Sequence, residues 1–248
     1  MLQVTLSPLQ TLQGAFTLIF VIISFILGLI IILRYRKYKQ IELILVGLTW
    51  IFLVSPYWPD AITFILIITT GKELDPLLYI TMGIAFVPPA HFTWMYAIMN
   101  FLYRKKKKIV VTLFTIEAII YEIILFTLLM KNPDLIAIRV SEFSSNWSLF
   151  VDLYLFFSIG MFIITGFLFV RASLRSSNKE IQLKGKILLL AFITFTIGVT
   201  LEVAIDYANE ITDVIIVSFI LAAAFLFYVG FTLPNYIKNI FIKNNNAQ

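Results

Sequence analysis

The stretch that decides the fold is residues 14–33, which read GAFTLIFVIISFILGLIIIL. It carries no charge, and about 20 apolar residues are what a helix needs to cross about 30 Å of hydrocarbon. The rest of the chain has the same character, since 60% of its 248 residues are hydrophobic and only 13% are charged. Soluble domains are about 45–50% apolar and about 25% charged, so a water-soluble globular enzyme is excluded.

Six further stretches share this character, and their continuous hydrophobicity is typical of helices rather than of alternating barrel strands. The predicted spans are residues 14–33, 41–58, 77–102, 109–130, 147–170, 187–205 and 211–233, followed by a short polar tail at 235–248. We therefore expect an all-α integral membrane protein, a single seven-transmembrane-helix bundle. Ser7 and Pro8 are typical of an N-cap and a first helical residue. Pro56 and Pro59 interrupt the second span, so residues 61–70 either extend it as a kinked helix or lie at the interface.

Basic residues concentrate on one side of the predicted membrane. All of the 19 lysines and arginines except Lys72, Lys131 and Arg139 fall in the loops after the first, third and fifth spans or in the tail. The positive-inside rule then places the N-terminus outside and the C-terminus in the cytoplasm, in a multi-pass protein of the cell membrane. The densest basic surface comprises Arg104, Lys105, Lys106, Lys107 and Lys108. We expect it to attract anionic lipids of the inner leaflet, and nucleic acid is not expected as a partner.

Six ionisable side chains are predicted to lie at membrane depth, where such groups usually face the inside of a bundle or a wet cavity. They are His91, Glu117, Glu122, Asp152, Glu202 and Asp206. At about 1.5 Å per helical residue from the nearest basic loop, His91, Glu122 and Glu202 fall in one layer. We expect these and Asp206 to line one outward-facing polar cavity for a small cationic or proton-linked ligand, with Glu117 and Asp152 at its margins. Alternatively, each acid hydrogen-bonds to a neighbouring helix and serves only packing.

The predicted cavity depends on how two of its helices run and face. Four acids at and beyond the end of the sixth span recur at i, i+4, i+8 and i+11, and they are Glu202, Asp206, Glu210 and Asp213. They would form one acidic stripe if the sixth helix continued past Ile205. A single cavity also requires Glu122 and Glu202 to face the same space.

Other chemistry is limited by composition. The chain has no cysteine and one histidine, which excludes disulfides, thiol catalysis and multi-histidine metal sites. We expect no metal, no cofactor and no enzymatic activity, since no catalytic set is evident. Pro88 and Pro89, just before His91, are expected to bend the third span, as a hinge or as a static kink.

Short motifs give the chain a family resemblance. With seven spans, an outside N-terminus and the prolines that follow Tyr79–Gly83 in the third span, it resembles the seven-helix sensory modules at the N-termini of prokaryotic histidine kinases. Tyr57-Trp58-Pro59 and the exit Gly230–Pro234 are similar to segments of uncharacterised archaeal seven-span proteins. The resemblance implies a sensor-like or receptor-like protein. Because only a short tail follows Pro234, signalling is expected to need a separate partner on the basic cytoplasmic loops.

Two other functions remain open on the sequence. A small transporter is one, with spans one to three and five to seven as parallel copies around the fourth, as in the sugar-transporting SWEET proteins. The prolines of spans two and three have no counterparts in spans six and seven, which weakens this alternative. The other is a membrane scaffold without a ligand.

Overall fold

A computed structural model describes residues 5–205 and 210–242 of the chain. The helices are α1 (Pro8–Leu33), α2 (Tyr35–Tyr38), α3 (Ile41–Leu53), α4 (Trp58–Thr70), α5 (Pro76–Ile84), α6 (Val87–Leu102), α7 (Lys107–Lys131), α8 (Leu149–Leu174), α9 (Lys179–Ala204), α10 (Glu210–Thr232) and α11 (Asn235–Phe241), and the strands are β1 (Ala137–Ser141) and β2 (Ser144–Trp147). Within the described residues, six helical segments are long and apolar enough to cross a membrane. The chain is therefore a helical multi-pass membrane protein that carries one small hairpin.

The first helix begins where the sequence predicts. Ser7 is its N-cap: the Ser7 hydroxyl accepts from the Gln10 backbone N–H at 3.1 Å, and the Gln10 side chain accepts from the Ser7 N–H at 2.9 Å. This reciprocal capping box satisfies two backbone donors that a helix start leaves open. Pro8 occupies the first turn, where its missing N–H costs no hydrogen bond.

The second span is an extended, interrupted helix. A 3₁₀ turn at Ser55–Tyr57 separates α3 from α4, and the two helices form one apolar segment from Ile41 to Thr70. Pro56 and Pro59 explain the interruption, because neither can donate a backbone hydrogen bond. Both arrangements that the sequence left open contain such a break, so whether residues 61–70 extend the span or lie at the interface stays a prediction.

The third predicted span is divided into α5 and α6, which are separated at Ala85 and Phe86. Pro88 and Pro89 lie in the first turn of α6, where a proline ring displaces no intrahelical bond. The predicted interruption is present, and it falls just before the two prolines. Whether it moves as a hinge stays a prediction.

Contacts between the helices trace a closed ring. Helix α1 packs on α3, α3 on α6, α6 on α8, α8 on α9, α9 on α10, and α10 on α1. Helix α7 packs against α6 and buries only Tyr121, Leu125 and Leu129 among its residues, so it lies at the periphery. The interior of the ring is therefore formed by helices other than α7.

Helices α1 and α3 approach each other closely at two glycines. A Cβ atom placed on Gly47 would lie 2.5 Å from the Gly28 carbonyl oxygen, and one on Gly28 would lie 2.8 Å from the Gly47 carbonyl oxygen. Small residues allow such backbone contact in membranes, where packing rather than the hydrophobic effect holds helices together.

An antiparallel hairpin of β1 and β2 covers one end of the ring, with Ala137 opposite Trp147 and Arg139 opposite Ser145. Phe143 at its turn is buried against Phe64 of α4, with ring centroids 6.4 Å apart. We term this end the hairpin side, and the opposite end, with residues 104–108, the basic side. The sequence did not predict these strands, because a short polar segment such as Ser144–Trp147 has no apolar alternation.

Candidate functional site

A cavity of about 200 Å³ lies inside the ring, in the half nearest the hairpin. Every ring helix contributes to its lining, and the described residues of α7 do not. Four acidic side chains from four helices line it, and they are Asp60, Asp152, Glu202 and Asp213. Among the described residues that line it, none is basic. The cavity therefore brings several acidic side chains together in a low-dielectric surrounding.

Three of these acids lie close together. Asp60, Glu202 and Asp213 interact electrostatically with one another, although they belong to α4, α9 and α10. The Asp60 carboxylate accepts a hydrogen bond from the Tyr79 hydroxyl. Glu202 lies at the end of a predicted span, yet its side chain is exposed because it faces the open space of the cavity. Like charges held this close favour a bound cation, which relieves their repulsion.

Aromatic side chains form much of the remaining wall. They include Trp50, Tyr57, Tyr79, Trp94 and Trp147. The Trp94 indole N–H donates to the Thr165 hydroxyl at 2.7 Å, which fixes the orientation of that ring. Aromatic faces attract cations, organic ammonium groups above all, when water is excluded.

The floor of the cavity is closed by packed rings. Trp50 lies edge-on to Phe227 with centroids 4.3 Å apart, and Phe192 lies edge-on to the same ring at 5.0 Å. Leu27 and Ala97 are buried in the same cluster. The cavity is therefore separated from the basic side by a layer of apolar side chains.

The hairpin forms the other end of the cavity. Ser144, Ser145 and Trp147 of β2 line it. Arg139 of β1 lies over the Tyr79 ring at 3.8 Å and forms an ion pair with Glu73 at 3.1 Å. This guanidinium also interacts electrostatically with Asp60, so one cation of the protein itself already stands beside the acids.

The structure separates the acids that the sequence placed together. Glu202 and Asp152 line the cavity, whereas Glu122 and Glu117 of α7 do not, and neither does His91. The expectation that Glu122 and Glu202 share one cavity is therefore wrong. Counting residues from a loop gives the height of a side chain in the membrane, but not the direction in which it points. Asp206 lies outside the described residues.

The prediction of an acidic stripe along one continuous helix is also wrong. Helix α9 ends at Ala204 and α10 begins at Glu210, so the spacing of eleven residues from Glu202 to Asp213 does not run along one face. The two carboxylates nevertheless meet in the cavity from neighbouring helices. Sequence reasoning gave no role to Asp60, because the prolines around it marked its segment as irregular.

His91 is fully buried behind the cavity wall. Its Nδ1 atom lies 3.3 Å from Glu117 Oε1 and 3.2 Å from the Tyr154 hydroxyl, and its Nε2 atom lies 2.5 Å from Ser158 Oγ. Glu117 thus fits the alternative in which an acid bonds to a neighbouring helix. Ser158, which the sequence analysis did not consider, lines the cavity. A lone serine in an apolar span carries no sequence signal that would identify it.

The basic surface is exposed at Arg104, Lys105, Lys106 and Lys108. Lys107 differs, because its ammonium lies over the Tyr96 ring at 3.6 Å and donates to Asn100 at 3.1 Å. The Asn100 amide in turn donates to Glu42 of α3. Lys107 therefore anchors α7 to the ring, whereas its basic neighbours are exposed.

The chain matches no protein-family model, no curated protein and no solved structure. Within the described ranges, no group of three or more His, Cys, Asp or Glu side chains is placed to hold a metal ion.

Proposed function

We propose that the protein is a receptor-like membrane protein that binds a small organic cation in the acid-lined cavity. The observation that carries this proposal is the convergence of four carboxylates and several aromatic faces, with no lining basic side chain among the described residues. Carboxylates neutralise an ammonium group, and each aromatic face adds about 0.5–2 kcal/mol of cation–π attraction. The apolar walls favour an organic cation over a hydrated metal ion, which needs oxygen ligands on all sides.

Seven spans and an outside N-terminus are part of this proposal. Helices α5 and α6 together extend over residues 76–102, about 40 Å of helix, which is enough to cross the hydrocarbon as a seventh span. The surplus of lysine and arginine on the basic side favours a cytoplasmic location for that side. The cavity would then face the exterior of the cell membrane, where a receptor meets its ligand.

The closed floor at Trp50 and Phe227 favours a receptor, which signals without carrying its ligand across the membrane. A ligand that enters from the hairpin side meets packed rings before the basic side. We propose that binding is transmitted to a separate cytoplasmic partner on the exposed basic surface, Arg104 to Lys106 and Lys108. The resemblance to the sensory modules of prokaryotic histidine kinases supports this role.

A small transporter is the second candidate, and one observation favours it. The first three spans meet the last three through α1 with α10 and through α6 with α8, while α7 lies at the periphery. Two parallel three-span repeats joined by a fourth helix would produce this arrangement. In that case the closed floor belongs to one state of a carrier.

Ligand binding is tested on purified full-length protein by thermal stabilisation with a panel of ammonium ions. Choline is one probe, and 3,3-dimethylbutan-1-ol is its neutral isostere. We expect choline-like ions to raise the unfolding temperature and the isostere to leave it unchanged. Glu202→Gln should abolish the shift, whereas Glu122→Gln, an acid of α7 that does not line the cavity, should retain it. Equal stabilisation by the neutral isostere, or equal loss in both variants, would overturn the proposal.

Uptake into sealed liposomes distinguishes the receptor function from the transporter function. The stabilising cation is supplied in radiolabelled form outside vesicles that contain the purified protein. Binding without accumulation supports the receptor, and accumulation abolished by Glu202→Gln makes the protein a carrier.

A further inference from the structure

Three helices bring a serine, a histidine and a glutamate into one hydrogen-bonded chain. Ser158 Oγ of α8 lies 2.5 Å from His91 Nε2 of α6, and His91 Nδ1 lies 3.3 Å from Glu117 Oε1 of α7. The Tyr154 hydroxyl, 3.2 Å from the same Nδ1 atom, contacts the imidazole one helical turn away from Ser158. These are the contacts that activate a serine in acyl-transfer enzymes: a nucleophile, a base and a group that orients the base.

One placement of the protons in this hydrogen-bonded group suits nucleophilic attack. When Glu117 is a carboxylate, its oxygens only accept hydrogen bonds, and the His91 Nδ1–H donates to Glu117 Oε1. His91 Nε2 is then left as an acceptor for the Ser158 hydroxyl. That tautomer is the one in which the imidazole removes the hydroxyl proton during nucleophilic attack.

The Ser158 hydroxyl is oriented differently from other helical hydroxyls of this protein. Thr165 and Ser218 each donate to the carbonyl four residues earlier at 2.6 Å, as is usual within apolar helices. Ser158 instead meets the imidazole of a neighbouring helix and lines the cavity, whereas His91 and Glu117 do not line it. A ligand in the cavity therefore reaches Ser158 while the base stays behind the wall.

Ser158 lies between the acidic and the apolar parts of the cavity. Along α8, the lining residues Asp152 and Phe162 lie on either side of it. By the helical rise, Asp152 is about 9 Å towards the hairpin side and Phe162 about 6 Å towards the floor. A molecule with a cationic end and an apolar end would place its middle at the serine.

A hydrogen-bond donor that could serve a developing oxyanion also lines the cavity. The Trp50 indole N–H is buried, lines the cavity and has no hydrogen-bond partner within the described part of the chain. The Thr49 hydroxyl is hydrogen-bonded to the Thr93 hydroxyl at 2.8 Å. The backbone next to Trp50 therefore lies beside the turn of α6 that carries His91. Donors of this kind stabilise the charge that forms on an acyl oxygen.

From these contacts we infer that Ser158 is the nucleophile of a carboxylic ester hydrolase, with His91 as its base and Glu117 as the positioning residue. The substrate class is an ester of an apolar acid with an amino alcohol, and the choice of a cationic alcohol rests on the proposed function. The activity departs from the sequence expectation of a protein without catalysis.

The reaction is an acyl transfer through the serine. Ser158 Oγ attacks the acyl carbon as its proton passes to His91 Nε2, and the C–O bond to the amino alcohol breaks as that proton passes to the leaving oxygen. Water then attacks the acyl-serine with His91 again taking and returning a proton. The products are a carboxylic acid and the amino alcohol, with no oxidation or reduction.

The nucleophile is tested with an alkyl fluorophosphonate, a neutral probe that reacts covalently with activated serines. We expect the full-length protein to be labelled, with the adduct located on Ser158 by mass spectrometry. Ser158→Ala and His91→Asn should abolish labelling. The control variant Ser218→Ala replaces a helical serine that is not hydrogen-bonded to His91, and it should be labelled as the wild type is. Absence of labelling in the folded wild type, shown to be folded by its thermal transition, would overturn the inference.

The role of Glu117 is tested by rescue. Glu117→Gln should slow labelling about 100-fold, because an amide no longer enforces the Nδ1–H tautomer, and Glu117→Asp should restore part of the rate. Equal labelling rates in Glu117→Gln and Glu117→Asp would assign Glu117 a purely structural role.

The substrate class is tested by hydrolysis of decanoylcholine against the decanoyl ester of the neutral isostere. Faster cleavage of the cationic ester supports both proposals. Fluorophosphonate labelling with equal cleavage of both esters retains the nucleophile but removes the cation preference, and choline stabilisation without labelling retains the binding function but removes the catalysis.

Discussion

The Tyr79 hydroxyl donates a hydrogen bond to the Asp60 carboxylate and joins α5 to α4 at the cavity wall. Both side chains are buried, with 3% and 9% of their surfaces exposed. A buried carboxylate without a donor costs more than the hydrogen bond itself contributes, because it loses its hydration as well. This contact therefore stabilises the hairpin-side half of the bundle and holds one of the four acids in place.

Replacement of Tyr79 by Phe should destabilise the protein. The change removes only the hydroxyl, so Asp60 loses its donor while the ring packing stays. We expect the free energy of unfolding to fall by about 1–3 kcal/mol. The measurement is reversible unfolding in mixed detergent micelles. Tyr38→Phe is the matched control, because Tyr38 is 54% exposed, and it should change the stability by less than about 0.5 kcal/mol.

Removal of the Arg139 charge should strengthen cation binding. The guanidinium interacts with Asp60 and lies over the Tyr79 ring, so it competes with a cationic ligand for the same groups. For a partly exposed charge the effect is about 0.5–1 kcal/mol, or about a two- to fivefold gain in affinity for Arg139→Gln. Calorimetric titration with choline measures it. Lys72→Gln, an exposed lysine on the same side, should leave the affinity unchanged, and weaker binding in Arg139→Gln would contradict the expectation.

Adding a methyl group at Gly47 should force α1 and α3 apart. The new Cβ atom would lie 2.5 Å from the Gly28 carbonyl oxygen, and backbone cannot move aside as a flexible side chain does. We expect Gly47→Ala to destabilise the protein by about 1–3 kcal/mol. Gly160→Ala is the control, since nothing lies within 4 Å of its added Cβ. It should be neutral or slightly stabilising, because alanine favours the helix. Equal effects of the two variants would show that this helix contact is not tight in the membrane.

The orientation can be read from single cysteines, because the chain has none of its own. Ser141→Cys on the hairpin and Lys105→Cys on the basic surface both introduce an exposed thiol. In intact cells a membrane-impermeant maleimide should label only Ser141→Cys, and permeabilised cells should allow labelling of both. The reverse pattern would place the hairpin side in the cytoplasm and turn the cavity away from external ligands.

Local features of this fold were predictable because they depend on neighbouring residues. The helix start at Ser7 follows from a hydroxyl three residues before Gln10, and the interruptions of two spans follow from prolines. The hairpin was not predictable, because its strands are short and β2 is mostly polar. The predicted end of the sixth span at residue 205 lies next to the end of α9 at Ala204, whereas the acidic spacing beyond it suited a continuing helix that the structure does not have.

By itself, the sequence determined that this chain is a helical membrane protein and where most of its spans lie. These are properties of hydrophobicity and charge along the chain. Only the tertiary structure decided that Asp60, Glu202 and Asp213 meet in one cavity, that Glu122 does not line it, and that His91 contacts Ser158. Those outcomes depend on how far each helix is rotated about its axis and which helix it packs against. Both are set by packing between segments far apart in sequence, which no local pattern records.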